Sequence, residues 1–106
     1  MTVITYREYY DGYMLTAEGH AGFNKKGGDI VCAAVSVLCF TLLECVKDEQ
    51  SSGRAKIIRS AVGDGSFTLE AEPYDFARER FNAIFETVLS GLWLIAEQYP
   101  DYVKFE

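Results

Sequence analysis

Two prolines, one histidine and one tryptophan are found among the 106 residues, and the three cysteines are an odd number that cannot all pair within one chain. Scarce proline alongside 49% hydrophobic and 14% aromatic residues excludes a disordered or polyproline chain. Unpaired cysteines argue against a disulfide-stapled secreted fold, and Met1 to Glu8 lack the basic start and apolar run of a secretory signal. A cytoplasmic setting with free thiols is the expectation. Basic residues are also short: ten Lys+Arg face sixteen Asp+Glu, and a net charge of −6 repels a phosphate backbone, so no direct nucleic-acid partner is expected. The longest apolar run, Ile30 to Val46, is interrupted by Ser36, Thr41 and Glu44 and falls short of the ~20 residues of a bilayer span. It reads as a buried helix, without a membrane role. The length fits one domain, residues 1–106, and a chain this small gains from self-association.

What is present has a clear period. From Thr2 to Glu18 the chain is rich in Thr, Val, Ile and Tyr, broken at Asp11-Gly12, a pair that tolerates positive φ and closes hairpins. Two antiparallel strands follow, with His20 at the end of the second. Gly19 to Gly28 has no regular period and reads as a mobile loop. Asp29 is a good N-cap for a helix from Ile30 to about Asp48, apolar almost all round, so that one face lies on a sheet and the other needs a second cover. Arg54 to Val62 reads as a third strand. In the fourth, Phe67, Leu69 and Ala71 alternate with Thr68, Glu70 and Glu72, and Pro73 closes it. An amphipathic helix spans about Asp75 to Gln98 and stops at Tyr99-Pro100. The expected fold is α+β, ββαββα, a two-layer sandwich with a four-stranded, mostly antiparallel sheet and two helices on one face. Tyr102 to Phe105 is left as an edge strand or a pairing segment.

The sole histidine and one cysteine stand at the two ends of the glycine-rich loop. With Asp29 as N-cap, Cys32 is the third helical residue, and the first turn of a helix favours negative charge, as a thiolate nucleophile requires. The loop returns the chain from the His20 strand to this helix start, so a Cys-His dyad is buildable. Residue type alone favours a small core cysteine, and the cap position, the glycine loop and the sole histidine shift the balance toward a reactive site. One His and three Cys nominally make a metal site, but Cys39 lies about 10.5 Å along the axis from Cys32 and Cys45 roughly 220° around it. No metal and no cofactor are therefore expected. Ser36, one turn after Cys32, either lines the site or bonds back to the helix carbonyl at position 32. Glu18 and Asp29 are candidate orienters of the imidazole, and Lys25 and Lys26 read as loop charges.

Gly19-His20-Ala21, the glycine loop and Gly28-Asp29-Ile30-Val31-Cys32-Ala33-Ala34-Val35-Ser36 together resemble the signature of the bacterial ribosomal-processing cysteine protease family, including the eleven residues between His20 and Cys32. The resemblance implies Cys32 as nucleophile and His20 as general base and acid, with Asp29 and Ser36 as accompanying polar positions. It also implies a homodimer, and as substrate the precursor of large-subunit ribosomal protein twenty-seven, cut after an aromatic pair to remove an N-terminal extension. The loop then acts as a lid, with Gly22, Phe23, Gly27 and Gly28 as substrate-binding positions and Phe23 as a wall for an aromatic side chain. Two other readings stay open: a dimeric ribosome-associated module that grips a peptide without cutting it, and a thiol-redox sensor using Cys32.

Overall fold

Alternating side chains build the sheet. In the computed structural model, which describes Met1 to Glu106, strands β1 (Thr2–Glu8), β2 (Tyr13–Glu18), β3 (Ala55–Gly63), β4 (Ser66–Pro73) and β5 (Val103–Phe105) form one sheet in the order β3-β4-β2-β1-β5. Tyr13, Leu15 and Ala17 on β2 and Phe67, Leu69 and Ala71 on β4 are buried, because successive strand residues point to opposite faces. Helices α1 (Ile30–Ser51) and α2 (Arg78–Gln98) supply the second layer, so the α+β, ββαββα class holds. The buried stripe of α2, Phe81, Phe85, Val88 and Leu92, follows its three- and four-residue period. A short 3-10 turn over Asp75–Ala77 starts this helix, with no side-chain cap at Tyr74.

Three details differ from expectation. The sheet has five strands rather than four, because the C-terminal segment pairs parallel with β1 from Thr2↔Val103 to Ile4↔Phe105. Val103 is 1% exposed, and its burial draws a three-residue strand onto the edge. The β1–β2 turn needs Gly12 for closeness rather than for positive φ: a Cβ there would stand 2.4 Å from the Ala71 carbonyl oxygen. Finally, α1 runs 22 residues and is by length and composition apolar enough to cross a bilayer. Its extra turn comes from Glu49, Gln50 and Ser51, polar residues that extend the helix beyond the apolar run. Val31, Val35, Cys39, Leu42, Leu43 and Val46 are buried in the core, which is how a core helix uses such a composition.

Glu49, near the end of α1, is 1% exposed and is the one buried acid. Its two oxygens accept from Arg54 Nε at 2.7 Å and Arg80 Nε at 2.6 Å, so α1, the approach to β3 and α2 meet at one carboxylate. Burial opposes its ionisation, but the hydrogen bonds and charges of the two guanidinium groups outweigh burial and hold the carboxyl below its ordinary value. A depressed folded-state value means that this stabilisation is complete above the ordinary glutamate range. It is lost as pH falls through the lower folded value. Glu49→Ala is expected to cost about 2–3 kcal/mol in urea unfolding at pH 7, less than a fully buried triad because the arginines keep contact with water. The cost should shrink as the pH is lowered through the acid range; a variant as stable as wild type at pH 7 contradicts this role.

Candidate active site

His20 is held by its neighbours in the chain. Gly19, immediately before it, has φ +93°, donates its N–H to the Gly65 carbonyl at 2.8 Å and accepts from Thr2 Oγ1 at 2.9 Å. A Cβ at this position would lie 2.5 Å from the Met1 carbonyl oxygen, so both the conformation and the space call for glycine. The chain therefore leaves β2 pinned between the N-terminus and the β3–β4 turn. The imidazole rests on that turn, with Nε2 3.7 Å from Asp64 Oδ1.

Cys32 is fixed from the other side by Asp29. One carboxylate oxygen accepts from the Cys32 N–H at 2.9 Å, closing the first turn of α1 as an N-cap does. The other accepts from the Phe23 and Asn24 N–H groups at 3.0 and 3.4 Å. Partial burial opposes ionisation of Asp29, but these N–H donors outweigh it and hold the carboxyl below its usual range. Asp29 thus ties the loop to the helix and makes no bond to His20. The Ala21 N–H donates to Cys32 Sγ at 3.1 Å, so the residue after the histidine touches the thiol directly.

A cleft of about 580 Å³ lies between α1, the glycine loop and the β3–β4 turn, and both His20 and Cys32 line it. No hydrogen bond joins their side chains in this conformation: the sulfur accepts from Ala21, and Nε2 faces Asp64. Ser36, Asp29, Gly22 and Gly27 line the same cleft. Ser36 is exposed and makes no back bond to the helix, unlike Thr41, Thr87 and Ser90, which do. Phe23 and Gly28 do not line the cleft. Phe23 packs edge-on against Tyr99 and Tyr102, at centroid distances of 5.5 and 5.3 Å, because these aromatics at the end of α2 offer it an apolar seat. Glu18 Oε1 accepts from Ser66 Oγ at 3.0 Å and is thereby engaged away from the imidazole.

Two features escape a reading of the sequence. Asp64 sits in Gly63-Asp64-Gly65, which reads only as a turn, yet it meets both His20 and Lys26, the latter at 3.4 Å. The loop, read as mobile from its glycines, is fastened by Asp29 and by its own Gly28 N–H to Lys25 carbonyl bond at 3.0 Å. Part of the cleft lining is apolar, from Val35, Phe40, Val62 and Phe67, and Cys39 also lines it. Burial pushes the Cys39 thiol up to about 12, which leaves it unreactive near neutral pH. No group of three or more His, Cys, Asp or Glu side chains is arranged to hold a metal ion.

Known proteins resemble this chain in sequence and in fold. The sequence profile of the family described as Cysteine protease Prp matches residues 1–104. The ribosomal processing cysteine protease Prp of Mycoplasma pneumoniae is 33% identical over 95 residues, 89% of this chain and 86% of that protein. Among solved structures, the fold resembles the ribosomal processing protease Prp from S. aureus in complex with a covalently linked product peptide, with TM-score 0.79 and 22% identity over 100% of this chain and 98% of that one. It also resembles a Streptococcus mutans protein with TM-score 0.71 and 26% identity, over 100% and 92% of the two chains.

Two outcomes are expected from the site. Toward an alkylating reagent at neutral pH, Cys32 should react at least about 10-fold faster than Cys39, which is buried and fully protonated there; equal rates by peptide mapping would remove the reason for singling out Cys32. Asp29→Ala should destabilise the chain by about 1 kcal/mol and speed hydrogen exchange at the Phe23 and Asn24 amides. Unchanged exchange at those two amides contradicts the tie.

Proposed function

The chain belongs to the cysteine protease Prp family, and we propose that it cuts peptides with Cys32 as nucleophile and His20 as general base and acid. The observation that carries this reading is the shared cleft, with Cys32 in the first turn of α1 and the sole histidine opposite. His20 takes the thiol proton as Cys32 Sγ attacks the scissile carbonyl carbon, and gives it to the leaving amine as the C–N bond breaks. Water then attacks the thioester while His20 accepts its proton, and the released thiolate recovers that proton as the acid product leaves. The contact between imidazole and sulfur, not made in this conformation, forms when peptide is bound, as resting sites commonly require.

The backbone refines this chemistry. The Cys32 N–H is already used by Asp29, so among the amides near the sulfur the Ala21 N–H is the one that touches it. A donor held there stabilises the thiolate while the thiol is being activated. Ser36, one turn along α1, adds a free hydroxyl to the cleft beside the reacting groups. The tied glycine loop forms the cleft's rim, and Gly22 and Gly27, with positive φ and no atom within 4 Å of an added Cβ, let an extended peptide pass close to the backbone.

The substrate we assign is the precursor of large-subunit ribosomal protein twenty-seven, from which an N-terminal extension is removed after an aromatic pair in the cytoplasm. The family supports this assignment, and so does a net charge of −6, which attracts a basic ribosomal protein. The apolar part of the cleft lining suits an aromatic side chain. The chain acts as a homodimer in this reading: Ile30 and Val37 on the outer face of α1 are each 60% exposed, and a second copy supplies the missing cover. No cofactor enters the reaction.

Incubation with a peptide carrying the extended N-terminus, read by mass spectrometry, tests the function. Wild type should cut it after an aromatic residue, Cys32→Ala should leave it intact, and His20→Ala should slow cutting by roughly 100-fold or more. Saturable binding of an uncut peptide by wild type would instead identify a peptide-binding module.

A further inference from the structure

A general base must be aimed as well as present, and the side chains around His20 differ in what they do. Glu18 is taken by Ser66 and Asp29 by the loop amides and Cys32. Asp64 alone among the acids faces a ring nitrogen, Nε2, at 3.7 Å. The turn that carries it is anchored, since the Gly65 carbonyl accepts from Gly19 N–H, one residue before the histidine. The ring lies directly on that turn: a Cβ at Gly65 would stand 2.9 Å from Nε2 and 3.2 Å from Cδ2 and Cε1. Nδ1 is not among the three ring atoms nearest to it, so this nitrogen is turned away from the β3–β4 turn.

We propose that Asp64 is a positioning residue for His20: its carboxylate accepts the Nε2–H, fixes the tautomer whose Nδ1 carries the lone pair, and aims that lone pair at the Cys32 thiol. The inference rests on the reading of Cys32 and His20 as nucleophile and base. The thiol proton moves from Sγ to Nδ1 and later to the leaving amine, while the Nε2 proton stays in its bond to Asp64, which is never itself protonated. The 3.7 Å separation exceeds the ordinary 2.7–3.2 Å hydrogen-bond range, and rotation of the exposed Asp64 side chain closes it. Lys26 Nζ, 3.4 Å from the same oxygen, competes for it and links the loop to the turn. At 68% side-chain exposure Asp64 works in water, so its effect is smaller than that of a buried aspartate in a triad.

The test compares full-length wild type, Asp64→Ala, Asp64→Asn and Cys32→Ala on the extended ribosomal-protein peptide, together with the ¹⁵N spectrum of the sole histidine at alkaline pH. Asp64→Ala should lower kcat by about three- to tenfold with KM little changed, and move the imidazole from the Nε2–H tautomer toward a mixture. Asp64→Asn, whose amide oxygen still accepts from Nε2–H, should retain more of the rate and of the tautomer than alanine does. An unchanged kcat in Asp64→Ala, or a histidine spectrum identical to wild type, overturns the proposal while leaving Cys32 as nucleophile. Continued cleavage by Cys32→Ala overturns the dyad reading, and the proposal with it.

Discussion

The Asp29 carboxylate joins two segments with opposite tendencies. A loop with four glycines in ten residues gains entropy by staying loose, and a helix start leaves backbone N–H groups without partners. Asp29 serves both: one oxygen satisfies the Cys32 amide and the other holds the Phe23 and Asn24 amides. Because the same loop contributes the Ala21 N–H that reaches Cys32 Sγ, ordering it also sets the electrostatics of the sulfur. The thiol, the loop and the helix start are one mechanical unit, placed beside a histidine that is fixed independently through Gly19 and the β3–β4 turn.

The sheet is what makes the second half of that arrangement possible. Strands β2 and β4 are neighbours although α1 and β3 separate them in the chain, with Glu18 paired to Ser66 at the end where His20 emerges. The β3–β4 turn is therefore delivered to the cleft by strand register, across from the first turn of α1. At the other end of α1, the Glu49–Arg54–Arg80 cluster fixes the helix against β3 and α2. One end of the helix is held by charge and the other by a capping carboxylate, and the cleft that Cys32 and His20 line lies at the capped end.

Much of this was legible in the residues. Alternation in Tyr13 to Glu18 and Phe67 to Glu72 gives strands with one buried face, and the stripe of Phe81, Phe85, Val88 and Leu92 gives α2. An aspartate three residues before a cysteine places that cysteine in the first turn, and the geometry agrees. What escaped depends on tertiary contact. Asp64 reads as a turn residue because its meaning comes from strand register, which no local pattern records. Phe23 packs against Tyr99 and Tyr102, more than seventy residues away, a contact that its neighbours in the loop do not announce. Three residues at Val103 are too few to show a period, and pairing with β1 decides their conformation. Gly12 signals a turn, but its requirement comes from the approach of the Ala71 carbonyl.

The most direct measurement is an acid quench during turnover of the extended peptide, followed by mass mapping of the chain. A thioester at Cys32 carrying the N-terminal extension, absent from Cys39 and Cys45, is the predicted intermediate. Rapid cleavage with no acylated Cys32 at any quench time, or an acyl group on another residue, would contradict the assignment of Cys32 as nucleophile.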